Sequence, residues 1–320
     1  MRTSGILATA LFLTAGILAA AEPEPTIDVV LVTGEQPGPA LWKITSGHHS
    51  LWLLGEVAPL PRKVKWRSRQ FESLLANSQE VILHDDSHMF RGKQAAEVAR
   101  ARALPDDQSL SELLSPDLRS RVDTVAKIYG VSEPLEGLSP SVVGTRLANA
   151  SLKALDLKVI SLQASVLALA RKAKVRVSYY SVPHIDISFD EQVRMIKDNA
   201  VATCPLEKVI SVLEDGGGGL RRLANAWSTG DIAGLRLLVP SYGLFTAGSR
   251  TWDCPVADHS GQVPTATHIN RRAEAWVREA ERALRENVST LAVVPIPELF
   301  ADDGYLAALR AKGYEVQEPD

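Results

Sequence analysis

The chain has 320 residues, of which 45% are apolar and 23% are charged, and this composition is ordinary for a globular protein. Its formal net charge is −3, and only 6% of its residues are aromatic. No basic stripe interleaved with aromatic residues is present, so the composition argues against nucleic acid and an anionic membrane as partners.

The first 21 residues have the pattern of a secretory signal peptide, with predicted cleavage between Ala21 and Glu22. Arg2 provides the positive start, residues 6–18 form an apolar run, and three alanines precede the cleavage point. The run is shorter than the ~20 residues that a membrane span needs, and no later segment is as long. We therefore predict export to a bacterial periplasm or secretion, with no transmembrane span after cleavage. An uncleaved membrane anchor is the alternative.

Residues 22–40 are rich in proline, glutamate and glycine and predict an extended leader. From residue 41 to residue 320 the pattern alternates between strands and helices, which is typical of an α/β protein. No linker rich in proline or serine divides this region. We therefore predict a single α/β domain.

The domain opens with two β-type segments, ALWKIT and SLWLLG, separated by SGHH. Two such segments around a glycine-containing turn predict a β-hairpin. His48 and His49 lie in the predicted turn. Adjacent strand residues point to opposite faces, so the two histidines form a poor metal pair, and we expect them to be exposed.

The other predicted elements follow in chain order. Helices are predicted at 66–77, 91–103, 116–127, 139–155, 163–174, 188–201, 205–215, 220–239 with a break at Gly230, 266–288 and 305–313. Strands are predicted at 78–84, 157–162, 175–182, 290–294 and, as an edge strand, 314–317, and residues 295–304 are predicted to be a loop. Ser109 and Glu112 have the spacing of a capping box.

Two cysteines, Cys204 and Cys254, are present. An even number of cysteines in an exported chain indicates a disulfide bond. Two free thiols or a histidine-assisted nucleophile are the alternatives, although neither cysteine has a histidine beside it in the sequence. We predict the disulfide.

Three predicted strand ends carry polar side chains. Glu56 follows the hairpin, His84 and Asp86 follow the next strand, and Glu298 follows the late strand. The carboxyl ends of strands can converge in one crevice of an α/β sheet, where such groups could bind a divalent metal or act as acid and base. Solvated loop residues are the more ordinary interpretation, and Glu298 in particular is expected to be exposed.

The order of the segments resembles the TraB/GumN family, whose relatives include the Tiki proteases. The resemblance rests on the opening ALWKIT, SLWLLG and APLP, on AWSTGDIAGLRLL with its Trp-x-x-Gly-Asp pattern, and on INRRAEAWVREAERAL followed by a strand and YLAALRAKGYEV. It spans about residues 40–320. It implies a central mixed β-sheet flanked by many helices, related to the erythromycin-esterase-like group, and a metal-dependent hydrolytic site in active relatives.

The positions that carry chemistry in the family depart from its pattern. Active relatives have Gly-x-x-His after the first leucine-rich strand, and here Gly55 is followed by Ala58 at the histidine position. They have glutamate after the next strand, where this chain has His84. They have a second Gly-x-x-His after the late strand, where this chain has Pro295 and Glu298.

Two looser correspondences point the same way. An acidic position expected near the middle strand falls around Tyr180 and Ser181, which cannot replace it. Asn270 fits the Arg-Asn pair that opens the last long helix, but Ile269 stands at the arginine position.

The leading hypothesis is therefore an exported, catalytically degenerate family member without a cofactor, which acts by binding or in a structural role, with a protein or peptide as a possible ligand. The alternative is a metal-dependent hydrolase that binds Mn, Co or Zn through rearranged ligands around Glu56, His84 and Glu298, with Asp86 as a further candidate. A pure interaction module is the third possibility, and it requires an exposed apolar patch. The sequence names neither a partner nor a substrate.

Overall fold

The computed structural model describes residues 34–35, 38–66, 69–84, 92–104, 107–180, 188–245, 254 and 266–319. The predicted signal peptide, most of the predicted leader and the candidate Asp86 lie outside these ranges.

The strands and helices are numbered in chain order. The strands are β1 Gly34–Glu35, β2 Leu41–Ser46, β3 His49–Glu56, β4 Leu60–Pro61, β5 Val64–Lys65, β6 Glu80–His84, β7 Leu157–Lys158, β8 Arg176–Tyr180, β9 Ser289–Pro295 and β10 Glu315–Gln317. The helices are α1 Arg69–Ala76, α2 Lys93–Ala101, α3 Leu110–Leu113, α4 Pro116–Ile128, α5 Pro140–Ala154, α6 Leu162–Ala173, α7 Phe189–Ala200, α8 Cys204–Leu213, α9 Gly218–Thr229, α10 Ile232–Tyr242, α11 Ala266–Glu286, α12 Pro297–Phe300 and α13 Tyr305–Ala311. A short 3₁₀ turn, Gly243–Phe245, follows α10.

A six-stranded mixed sheet is the centre of the fold, with the strand order β10-β2-β3-β9-β6-β8. Strands β3, β9, β6 and β8 run parallel to one another, while β2 is antiparallel to β3 and β10 is antiparallel to β2. The predicted fold, a single α/β domain with a mixed sheet flanked by helices, is confirmed. Because β3, β9, β6 and β8 are parallel, their carboxyl ends lie at one edge of the sheet, which we call the carboxyl edge.

The predicted hairpin is confirmed as β2 and β3, which pair from Leu41 opposite Leu54 to Ser46 opposite His49. Gly47 in the turn has a φ of 59°, which glycine adopts without strain. His48 lies exposed in the turn, whereas His49 is already the first residue of β3 and is partly buried.

Most predicted helices are confirmed with small shifts at their ends. The side chain of Ser115 accepts a hydrogen bond from the first turn of α4, and that of Ser139 accepts one from the first turn of α5. Two predicted segments differ. The predicted strand 157–162 is confined to β7, because Ser161 caps α6 and Leu162 begins that helix. The predicted loop 295–304 contains α12, which begins at Pro297, a residue favoured at the first helical position.

Two large hydrophobic clusters stabilise the fold, and a small third one joins α2 to α7. The larger one lies between the sheet and the helices around it and includes the buried indole rings of Trp42, Trp227 and Trp276. The smaller one joins α3, α4, α5, α8 and α9, and Tyr242 packs against both clusters.

The predicted disulfide is confirmed: Cys204 at the start of α8 is bonded to Cys254, with 5.8 Å between their Cα atoms. The bond joins α8 to a residue 50 positions further along the chain. Separately, none of the helices in the described part of the chain combines the length and the apolar character that crossing a membrane requires.

The amino end of β6 carries a buried ion-pair network around Glu80, whose side chain is 1% exposed. Its carboxylate accepts hydrogen bonds from Arg282 at 2.7 Å, from Arg176 at 2.9 Å and from Asn287 at 2.6 Å. These partners come from α11, from β8 and from the start of the connection into β9. The network therefore ties three elements together at the edge opposite the carboxyl edge.

Candidate functional site

The predicted polar strand ends do meet at the carboxyl edge. Glu56 at the end of β3 is aligned with Pro295 at the end of β9, and His84 at the end of β6 is aligned with Tyr180 at the end of β8. Glu298 lies three residues after the end of β9, within α12. The resemblance to the family leads us to expect an active site at this edge. The chemistry open to each of these side chains depends on the groups that it contacts.

The carboxylate of Glu56 is engaged with the start of α6. Glu56 is 7% exposed, and its Oε1 accepts a 3.1 Å hydrogen bond from the backbone N–H of Leu162. The amino terminus of a helix carries a partial positive charge, so the contact also stabilises the ionised carboxylate. Glu56 is buried and held by the main chain, and this is a structural function for a residue that the sequence offered as a candidate for catalysis.

His84 is engaged by the next residue of the same helix. The backbone N–H of His84 donates a 2.8 Å hydrogen bond to Oε1 of Gln163, and this bond fixes the orientation of the Gln163 amide. The Nε2 of Gln163, which can only donate, then contacts Nδ1 of His84. The same Nε2 also lies 3.3 Å from Nε2 of His84. Gln163 thus contacts both the backbone and the ring of His84.

Glu298 is buried, with 1% of its side chain exposed, so the expectation of an exposed loop glutamate is wrong. The cause is α12, which carries Glu298 and follows directly after β9. The chain then turns into α13, and in this turn the backbone N–H of Gly304 donates a hydrogen bond to the carbonyl oxygen of Ala301. Glu298 lies within the electrostatic reach of Arg272 on α11 and of Tyr180 and Tyr305.

The position of Arg272 follows from the path of α11. Arg282 near the end of this helix meets Glu80 at the amino end of β6, and Arg272 precedes it by ten residues, or about 15 Å of helix. From Glu80 to the end of β6 the strand advances about 13 Å. Arg272 therefore lies level with the carboxyl edge. Trp276, one turn after Arg272 on the same face, has its ring centroid 5.4 Å from that of Tyr180.

Tyr180 and Tyr305 place two buried hydroxyls beside this guanidinium. The indole of Trp276 stacks on Tyr305, with 5.2 Å between the ring centroids. Neither hydroxyl makes a hydrogen bond of normal geometry within the described part of the chain. Burial raises the pKa of Tyr180 well above its ordinary value, and burial, partly offset by Arg272, also raises the pKa of Tyr305. Both tyrosines are therefore neutral at physiological pH.

Arg272 is charged under the same conditions. Burial lowers the pKa of its guanidinium, but Tyr305 and Glu298 raise it by more, and the net shift is upward. The sequence analysis did not identify Arg272, Tyr305 or Gln163. These residues come from segments far apart in the chain and belong to no motif of catalytic residues, so no pattern in the sequence identifies them.

The two glycine-containing motif positions have clear structural roles. A side chain at Gly55 would bring a Cβ within 3.0 Å of Ile296 and 3.2 Å of Leu299, so the glycine allows α12 to pack against β3. Ala58 is buried, and its methyl group offers no lone pair. Pro295 ends β9 opposite Glu56 and lacks the N–H and the backbone freedom of the glycine found in relatives.

The donor set does not fit the divalent metal that the resemblance implies. In the described ranges, which leave out Asp86, no three His, Cys, Asp or Glu side chains come together as a group that could hold a metal ion. Glu56 accepts a hydrogen bond from a helix terminus, His84 is engaged by Gln163, and Glu298 lies within the electrostatic reach of Arg272. Two of the three candidate ligands are thus bound to protein groups, and the positive charge of Arg272 is unfavourable for a metal cation at the same edge.

The Trp-x-x-Gly-Asp segment contacts the carboxyl edge through the side chain of Trp227. The indole N–H of Trp227 donates a 2.7 Å hydrogen bond to the carbonyl oxygen of Gly55. Gly230 ends α9 in the left-handed conformation with a φ of 74°, and the side chain of Asp231 caps α10 by accepting a hydrogen bond from the N–H of Gly234 at 2.8 Å. Each fixed residue of the segment thus has a definite contact.

Comparison with known proteins identifies one family that the chain matches. The model of the TraB/PrgY/gumN family matches residues 40–318, a range that begins just before β2 and ends just after β10. No curated protein and no solved structure gives a significant match. Since the family match covers most of the chain, including the whole central sheet, the chain belongs to the TraB/PrgY/gumN family.

Proposed function

We propose that this chain is an exported, catalytically degenerate member of its family that acts by binding or in a structural role. The observation that carries the proposal is the commitment of the polar groups at the carboxyl edge to protein partners. Glu56 is held by Leu162, His84 by Gln163, and Glu298 is buried within the electrostatic reach of Arg272.

The substitution at Ala58 adds independent support, because a methyl group can neither bind a metal nor transfer a proton. Retention of the supporting contacts fits the same proposal. Gly55 and Trp227 form the framework of the edge, so the fold does not depend on the family's ligand set. A protein or peptide is the ligand class that best suits a family with peptidase relatives.

Export is supported by the disulfide between Cys204 and Cys254, a bond that persists in oxidising compartments. Expression of the full chain in a bacterial host, followed by fractionation and intact-mass analysis, tests this part. We expect the periplasmic fraction to contain a chain that begins at Glu22. A chain of full length in the membrane fraction would identify the uncleaved anchor instead.

The catalytic part is tested on the mature protein, purified without chelator. Bound metal is measured by mass spectrometry, and cleavage of a mixed peptide library is measured with added Mn²⁺, Co²⁺ or Zn²⁺ and with EDTA. We expect substoichiometric metal and no cleavage that depends on metal. Stoichiometric metal with turnover that EDTA abolishes would establish the rearranged-ligand hydrolase.

Glu298→Gln provides the matched control for this experiment. If Glu298 were a metal ligand, the amide would lower the amount of bound metal and the turnover together. Under the proposed function the variant changes neither quantity, because wild-type protein has no metal to lose. The two outcomes are therefore distinguishable even where background metal is present.

A further inference from the structure

We propose that the turn between α6 and β8 is a docking surface for a membrane of anionic phospholipids. Its four cations, which we call the basic turn, are Arg171, Lys172, Lys174 and Arg176. The inference concerns the edge of the sheet opposite the carboxyl edge, which we call the amino edge, and so it goes beyond the candidate site. It rests on one part of the proposed function, the export of the chain to a compartment bounded by such membranes.

The composition of the whole chain hides the charge of the basic turn. The net charge of the chain is −3, yet residues 157–185 contain five lysines or arginines and no aspartate or glutamate. Four of these five cations fall within the six residues from Arg171 to Arg176. A local cluster of this kind attracts an anionic surface even where the net charge is negative. An anionic membrane, which the composition as a whole argues against, therefore suits this one surface.

The path of α6 places the basic turn at the amino edge. The helix begins at the carboxyl edge, where the N–H of Leu162 meets Glu56, and it ends at Ala173, just before β8 begins. Because β8 runs parallel to β6, its first residue lies at the amino edge beside Glu80. The turn therefore projects from the side of the sheet that is remote from the candidate site.

All four cations of the basic turn are exposed. Arg176 donates a 2.9 Å hydrogen bond to Glu80, and its side chain is still 56% exposed. Within the described part of the chain, the side chains of Arg171, Lys172 and Lys174 form no ion pair. Three positive charges are therefore available to an external anion.

The carboxylates of the neighbouring ion-pair network do not take up these three charges. Glu279 and Glu286 each pair with Arg282 at 2.7 Å, and Glu80 is buried between Arg282 and Arg176. Each of these acidic groups thus has an arginine of its own network as its partner.

An apolar side chain next to the cations favours a lipid surface over a polyanion in solution. Arg176 donates a 3.2 Å hydrogen bond to Oδ1 of Asn287, and the following residue, Val288, is 58% exposed. Surfaces that dock on membranes combine basic side chains, which contact the headgroups, with apolar ones, which enter the interface.

The backbone at Lys174 gives independent support. Lys174 has a φ of 57°, and Asp156 is the other non-glycine residue of the described ranges with a positive φ. This left-handed conformation after a helix is usually adopted by glycine or asparagine. Local structure therefore does not explain a lysine at this position, whereas a use for its charge does.

Cations at the end of a helix also have an ordinary explanation, because they interact favourably with the carboxyl terminus of the helix. Helices α2, α4 and α5 end in the same way, with Arg100, Lys127 and Lys153 in their last turns. These three residues are exposed, but each is alone on its helix. They therefore provide a matched control for the clustered cations of the basic turn.

The inference is tested by flotation of the full mature chain with lipid vesicles. The vesicles contain phosphatidylcholine alone or with about 30 mol% phosphatidylglycerol, which supplies the anionic headgroups. Two triple variants lose the same number of positive charges. The first is Arg171→Gln with Lys172→Gln and Lys174→Asn, and the control is Arg100→Gln with Lys127→Gln and Lys153→Gln.

Wild type should bind only the vesicles that contain phosphatidylglycerol and should be released at about 1 M salt, where the Debye length is about 3 Å. Each cation near an anionic surface strengthens binding about fivefold, so the first triple variant should bind roughly 100-fold more weakly. The control should change binding by less than about threefold, because its charges lie further from the membrane than a Debye length.

The single variant Lys174→Asn separates the charge from the fold. Asparagine tolerates the left-handed conformation, so the Tm should not fall, while vesicle binding should weaken about fivefold. If the first triple variant does not fold, this variant decides the question, and unchanged binding by folded Lys174→Asn would overturn the inference.

Three other results would overturn it as well. They are equal weakening in the two triple variants, which would attribute binding to net charge, equal binding to both kinds of vesicle, and stronger binding to heparin or single-stranded DNA than to vesicles. The vesicle experiment uses purified protein, so it does not depend on the fractionation that tests export. A periplasmic chain that does not bind phosphatidylglycerol would defeat this inference alone, whereas a chain that is not exported would defeat the proposed export and the inference built on it.

Discussion

The indole N–H of Trp227 donates a 2.7 Å hydrogen bond to the carbonyl oxygen of Gly55, and both groups are buried. This bond joins two family patterns that lie 172 residues apart in the chain, the Gly-x-x-His position and the Trp-x-x-Gly-Asp segment. It is a contact of the framework and not of the reacting groups. It does not involve the side chain at position 58, so this contact of the framework is independent of whether that position holds a histidine or Ala58.

The bond predicts a specific loss of stability in Trp227→Phe. The phenyl ring fills much of the indole site but cannot donate, so the Gly55 carbonyl is left buried without its partner. An unsatisfied buried acceptor costs about 1–3 kcal/mol. Urea unfolding should show this loss in addition to the cost of the smaller ring.

Trp42→Phe is the matched control, because Trp42 is also fully buried but its Nε1 has no hydrogen-bond partner in the described ranges. This variant loses ring volume without losing a hydrogen bond. We expect it to be the milder of the two. Equal losses in both variants would mean that the bond to Gly55 contributes nothing beyond packing.

Gly55→Ala tests the close approach of α12 to β3. The added Cβ would lie 3.0 Å from Ile296 and 3.2 Å from Leu299, which is tighter than normal contact. Overpacking costs about 1–3 kcal/mol, and the reduced freedom of the unfolded chain returns about 0.5–1 kcal/mol. We expect a net loss of about 1 kcal/mol in urea unfolding.

Gly137→Ala is the control for this variant, since nothing lies within 4 Å of an added Cβ at that position. Its free energy of unfolding should rise by about 0.5–1 kcal/mol, because only the reduced freedom of the unfolded chain acts at this position. A Gly55→Ala protein as stable as Gly137→Ala would show that Ile296 and Leu299 move aside freely, and that the glycine is not required for packing.

The sequence predicted much of this fold because its local signals are strong. The hairpin, the helix breaks at Gly230 and the amphipathic α11 all follow from periodicity and turn residues, which act within a few positions of the chain. The order of the strands is different. The placement of β9 between β3 and β6 depends on contacts between distant segments, and local periodicity does not encode it.

For the candidate site, too, the location could be predicted from the sequence and the contacts could not. That Glu56, His84 and Glu298 share one edge could be expected from their positions after strands. Their partners could not, because Leu162 and Gln163 come from α6 and follow no short motif. The expected exposure of Glu298 was wrong because α12, which takes the place of the predicted loop, buries this residue.

The disulfide between Cys204 and Cys254 predicts a stability that depends on redox conditions. It closes a loop of 50 residues, for which the chain-entropy estimate is about 4 kcal/mol. Unfolding in urea with and without dithiothreitol should show a loss of this order. The double variant Cys204→Ala with Cys254→Ala should be equally destabilised and indifferent to reductant. A reductant effect in this double variant would point to another cause.

The buried carboxylate of Glu80 is predicted to stabilise the fold. Its carboxylate is buried among Arg282, Arg176 and Asn287, and removing it as Glu80→Ala leaves two arginines without their shared partner. Arg176 is 56% exposed and Arg282 keeps its pairs with Glu279 and Glu286, so neither arginine becomes an isolated buried charge. We expect the loss of the hydrogen bonds to Glu80 to cost about 1–3 kcal/mol in urea unfolding. Glu286→Ala is the control, because Glu286 pairs with the same Arg282 at the surface, where such a pair contributes about 0–1 kcal/mol.

The ion-pair network around Glu80 also predicts how the stability of the protein depends on pH. Burial raises the pKa of Glu80, but hydrogen bonds from Ser178, Arg282 and Asn287 lower it by more, so the folded-state pKa lies below the ordinary value of 4.5. A carboxyl with a depressed folded pKa contributes stability that is present above its unfolded pKa and is lost as the pH falls through the folded pKa. Wild type should therefore lose stability as the pH is lowered below about 4.5. Glu80→Gln should have a flatter profile in that window, and a slope equal to that of wild type would contradict the role given to Glu80.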